Sequence, residues 1–150
     1  MNEPVKWIAG LVAIGLAAGL SARAHAAPGQ VLGDWLTAGA GGKVRMAACP
    51  DQPQRLCGTL VWLKQPNGED GTPIRDGPNP DAALRTRPLL GIAIVHDFRA
   101  DGPGRWTDGR IYDPNSGRTY RSKMRLDADG TLKVEGCVPV VCIGQTWTRP

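Results

Sequence analysis

The sequence predicts an all-β fold: a small antiparallel eight-stranded sheet that closes into a barrel, with one short helix in a long connection. Three observations carry that prediction. Apolar and polar residues alternate with period two through most of the chain after residue 27, the mark of half-buried strands. Clusters of Gly, Pro, Asn and Asp break these stretches at regular spacing, as turns require. No long segment of this region has the period of an amphipathic helix.

The first residues are read apart from the fold. Lys6 precedes an uncharged run over 7–20, and "SARAHAA" offers small residues at Ala24 and Ala26. This is the form of a secretory signal peptide cleaved after Ala26, and the run is shorter than the roughly 20 apolar residues that span a bilayer. The expectation is a cleaved leader over 1–26 and one domain over 27–150, periplasmic or secreted, with no retained membrane span.

Strands are then expected at 32–37, 43–48, 57–63, 89–98, 105–112, 118–127, 131–137 and 143–149. In "TYRSKMRLD", Tyr120, Ser122, Met124 and Leu126 fall on one face, and Arg121, Lys123 and Arg125 on the other. "TLKVEGCV" repeats the pattern with Leu132, Val134 and Val138 against Lys133 and Glu135. Between them, "DADG" is a tight hairpin turn. In "YDPNSGRTY", Pro114 fixes φ and Gly117 is free to take φ > 0, so this reads as a hairpin clasp flanked by Tyr112 and Tyr120.

The long connection, 64–88, holds "DGPNPDAALRTRP". Asn79, Pro80 and Asp81 read as N-cap, N1 and N2 of about two helical turns. Pro88 would end that helix at Arg87. Such a segment would lie over a barrel mouth as a strap or lid.

Cysteine usage agrees with export. Cys49, Cys57, Cys137 and Cys142 are the only four, and four cysteines allow three connectivities. Each neighbouring pair flanks a turn, "CPDQPQRLC" and "CVPVVC", so local pairing, Cys49–Cys57 and Cys137–Cys142, is expected. Neither spacing matches a zinc knuckle or a redox-active Cys-x-x-Cys.

Charge and chemistry narrow the function classes. Setting aside Lys6, Arg23 and Glu3 from the 18 basic and 14 acidic residues leaves 16 and 13, a surplus of +3. A surplus this small, spread along the chain, does not argue for nucleic acid, and is compatible with weak contact to an anionic envelope surface. His96 is the only histidine after residue 26, too few for a histidine-rich metal site. Ser122 and Lys123 point to opposite faces of one strand, as do His96 and Asp97, which disfavours a nucleophile and base from either pair. No metal and no cofactor is expected. Asp76 and Asp81 are the one carboxylate pair placed for hydrolysis, but turn and cap roles explain them more simply.

Five ordered blocks, "GDWLT", "CGTLVWL", "DGPNPDAALRTRPLLG", "GRIYDPNSGRTYRSKM" and "GCVPVVCIGQTWTR", resemble the exported bacterial domain-of-unknown-function family 2147. Thr107-Asp108 stand before Gly109 where a second glycine is common. The resemblance implies a lipocalin-like (calycin) barrel and brings no established activity. It also implies a structural pairing of Trp35, in the Gly-x-Trp of the first strand, with Arg149 at the last.

An eight-stranded barrel either fills with side chains or holds one small ligand. Trp62, Ile92, Ile94, Tyr112, Tyr120, Met124 and Trp147 are the expected inward residues, with Asp76, Asn79 and Asp81 as polar contacts. The favoured reading is a non-enzymatic, exported barrel that binds a small, mainly apolar ligand in its interior. The alternatives are an envelope protein-interaction module with a solid barrel, or a hydrolase using Asp76 and Asp81 with Asn79 and Arg85.

Overall fold

The computed structural model describes residues 28–150; the expected signal peptide lies outside them. Eight strands follow in a meander: β1 (Gly33–Leu36), β2 (Gly42–Ala48), β3 (Leu56–Leu63), β4 (Ala93–Ala100), β5 (Arg105–Asp113), β6 (Arg118–Leu126), β7 (Leu132–Val138) and β8 (Val141–Trp147). Each pairs antiparallel with its neighbours in sequence order. All eight expected strands are present. β4 starts later than expected because Leu89 and Ile92 form a turn, in which the Ile92 N–H donates to the Leu89 carbonyl.

Extra residues bend the sheet. The register slips at Lys43/Val44, within β3, and between Trp106 and Gly109. Asp97 and Asp108 take left-handed φ of 59°, as bulge residues do. Gly109 sits where a side chain has no room: a Cβ there would lie 2.2 Å from the Phe98 ring.

Closure is less than expected. β1 and β8 meet at a single bridge, Leu36 with Thr148, whose N–H groups donate reciprocally at 2.8 and 3.1 Å. β1 is only four residues long, so the upper part of β8 has no strand to zip against. The sheet is a curled half-barrel rather than the fully closed tube the sequence suggested.

The concave face is the core. Paired residues share a face, which groups Trp35 with Val44 and Leu60, and Met46 with Gly58 and Val95. Trp35, Trp147, Phe98, Met46 and Leu132 are wholly buried there, each stabilising by about 1.5–3 kcal/mol through burial. Arg149 stacks 3.9 Å over the Trp35 ring and donates to the carbonyls of Leu32 and Asp34. That arrangement ties the segment that enters β1 to the segment that follows β8. Disulfides join Cys49 to Cys57 and Cys137 to Cys142.

The expected two-turn helix is a single 3-10 turn at Ala82–Leu84. Asp81, not Asn79, is its cap, its Oδ1 accepting from the Ala83 N–H at 3.0 Å. The helix stops early because Arg87 is held elsewhere: its carbonyl accepts from the Asp76 N–H at 3.0 Å.

Candidate functional site

Two arrangements at the same end of the sheet compete for attention. The first is the strap. Asp76 is fully buried, and its carboxylate accepts from four donors: Tyr112 Oη, Asn79 Nδ2 at 2.7 Å, and Arg87 Nε and Nη2 at 3.0 and 2.7 Å. Asn79 Nδ2 also donates to Tyr112 Oη at 3.2 Å, and Asn79 Oδ1 accepts from the Asp81 N–H at 2.9 Å. Arg85 Nε ties back to the Asn79 carbonyl at 2.7 Å. The β5–β6 turn locks onto this knot. Gly117 has φ +68°, and a Cβ on it would lie 1.9 Å from the Pro78 carbonyl oxygen.

Burial raises the pKa of Asp76, but the bonds from Tyr112, Asn79 and Arg87 outweigh it and hold the carboxyl below its usual value. Tyr112 is pushed up to about 12, by burial first and then by its bond to Asp76. A carboxylate so ionised, out of solvent and already taken by four donors has nothing to offer a substrate. The chemistry of this cluster is that of a clamp.

The second arrangement is the upper concave face. Ile111 pairs with Tyr120, and Gly136 with Ser122 and Ile143. A Cβ on Gly136 would lie 3.5 Å from Tyr120 Cβ and 3.8 Å from Ile111 Cγ2, so these residues form one continuous inner surface. Val138, Val141 and Ile143 extend it by register and are exposed, Ile143 at 72%. The result is an apolar trough, half open, above a packed base.

A third feature lies on the outer face. The bulges at Asp97 and Asp108 open a shallow groove of about 730 Å³, flanked by Arg55, Arg110, Arg121 and Lys123. Arg110 is paired with Asp97 at 2.8 Å and Lys123 with Glu135 at 3.5 Å. Among the described residues, one cluster has metal-ligand types, Cys49, Cys57 and Asp97, and its two sulfurs are spent in the disulfide. His96 is half buried, which lowers its pKa.

Residues 33–149 match the family DUF2147, described as an uncharacterized protein conserved in bacteria. The chain belongs to DUF2147. Among solved structures, protein HP1028 of the human pathogen Helicobacter pylori, described as belonging to the lipocalin family, is similar with a TM-score of 0.61. The likeness covers 73% of this chain and 72% of that one at 19% identity, and so speaks for a shared lipocalin-like fold. No curated protein matches the chain.

In this DUF2147 fold the expected site residues part company. Asp76, Asn79 and Tyr112 come together, but in the clamp. Asp81 is exposed and caps the 3-10 turn. Tyr112 is buried, yet the register that pairs Val95 with Ile111 turns it to the opposite face from the trough. Ile94 is the extra residue of a bulge between the Thr59–Ala93 and Gly58–Val95 pairs and is packed in the core. Trp62 lies at the surface, with the Lys43 ammonium 5.1 Å from its ring centre. Met124 and Trp147 are packed in the base alongside the rest of the core. Only Tyr120 reaches the trough. Ile111, Val138 and Ile143 were missed as candidates. Period-two counting from Tyr120 across the β5–β6 and β7–β8 turns was the signal for them.

Proposed function

We propose that this DUF2147 protein is an exported, non-enzymatic carrier that holds a small, mainly apolar ligand in the upper trough of its curled sheet. The supporting observation is the run of inward-facing Ile111, Tyr120, Val138, Val141 and Ile143, apolar and left half open while the base below is filled. A trough of this kind gains by covering apolar surface, and the Tyr120 phenol supplies one polar handle for orientation. Two disulfides and the absence, among the described residues, of any helix long and apolar enough to cross a membrane are compatible with export.

Native mass spectrometry of protein purified from its own periplasm tests the reading. One lipophile per chain, or uptake of an added fatty acid that Tyr120→Asp reduces at least tenfold, is the expected result. A chain that arrives empty and takes up no lipophile would overturn it.

A further inference from the structure

The upper part of β8 is an unprotected sheet edge. The Thr148 N–H points toward β1, donating to Leu36 at 3.1 Å. Strand alternation then points the N–H and C=O groups of Thr146, Gly144 and Cys142 the same way. Among the described residues none of these groups has a hydrogen-bond partner on that side, and residues 141–146 are all exposed. Proteins usually blunt such an edge with lysine, proline, a covering loop or a short strand. Neither charge nor proline blunts this one: residues 136–148 carry no charge, the sole proline, Pro139, lies in the turn, and the short 3-10 turn at Ala38–Ala40 lies beside β8 without a backbone hydrogen bond to it. Beside this edge sit Val138, Val140, Val141 and Ile143, exposed by 43, 92, 51 and 72%. The Cys137–Cys142 bridge fixes the strand in register with β7, so it is already extended for pairing.

We infer that β8 is a dimerisation edge, and that its occupant is the β8 of a second copy of this chain. The strand suits itself. Antiparallel pairing about a twofold axis at Gly144 sets Gly144 opposite Gly144, and Cys142 opposite Thr146. Each of the three would then donate one N–H and accept with one C=O. Ile143 would face Gln145 of the other copy, and no like charges meet because the segment has none. The two troughs would join into one longer apolar channel. This inference stands on the edge geometry and does not require a ligand.

Sedimentation velocity at about 100 μM, above the micromolar range of modest interfaces, combined with amide hydrogen exchange, tests it. The expected outcome is twice the chain mass, with slow exchange at Cys142, Gly144 and Thr146. Gly144→Pro removes a free edge donor that the fold does not use, and Ile143→Lys puts a charge beside the axis. Each variant should give the chain mass and at least tenfold faster exchange at those amides. Should Gly144→Pro fail to fold, Ile143→Lys and the exchange rates decide. A wild-type monomer overturns the inference, including one that instead cosediments with anionic vesicles through its valine tip. So does a dimer whose three edge amides exchange freely, or one that survives both substitutions.

Discussion

Asp76 takes a full charge into the interior, and its surroundings set how stability depends on pH. Its folded pKa lies below its ordinary value, so its contribution is present above the usual aspartate range and is lost as acid titrates the folded carboxyl. Tyr112 works in the opposite direction. Raised from 10.0 to about 12, it contributes fully below its ordinary value, and that contribution disappears as pH climbs from 10.0 to about 12. Urea melts across alkaline pH should therefore show a loss of stability in that window, and Tyr112→Phe should flatten it; an unchanged slope would contradict the assignment. Asp76→Asn should cost about 3 kcal/mol, the low end for breaking a buried pair because Arg87 is 36% exposed. A thermal melt lowered by about 10 °C would register that cost. The sequence placed Asp76 and Asn79 in the right segment and missed their partner. Tyr112 lies 36 residues further on, beyond β4 and near the end of β5, and no spacing along the chain shows that the strap folds back to it.

At the scale of elements, the strands were legible and the strap was not. Alternation set the face of every residue from Tyr120 to Leu126 correctly, since a strand's faces follow from counting alone. "PDAALRTR" has good helix formers and a cap, yet only a 3-10 turn forms, because the pinning of Arg87 by Asp76 overrides local propensity. Gly117 is the joint between strap and hairpin. Gly117→Ala would meet both the Pro78 carbonyl and an unfavourable φ, and should lower stability by at least 2 kcal/mol in denaturant melts while leaving the two disulfides formed. The disulfides close loops with separations of 8 and 5 residues, so replacing either pair with serines should cost about 2–3 kcal/mol. The loss for Cys137 and Cys142, which close the shorter loop, should fall at the lower end of that range, and this is measurable by the same melts.

For the whole molecule, the resemblance to a calycin fixed the architecture and the curl of the sheet set the opening. Full closure was expected because eight strands suffice for it. A first strand of four residues leaves the wall unfinished above Leu36, a consequence of strand length and stagger that alternation does not encode. That unfinished wall exposes the trough and the β8 edge together, so the carrier reading and the pairing reading share one cause. The most direct test is nuclear magnetic resonance of the labelled protein titrated with a fatty acid. The account predicts saturable shifts centred on Ile111, Tyr120, Gly136 and Ile143, with Asp76 and Tyr112 unmoved. Shifts confined to the outer groove around Arg110 and Arg121, or to the strap, would contradict it.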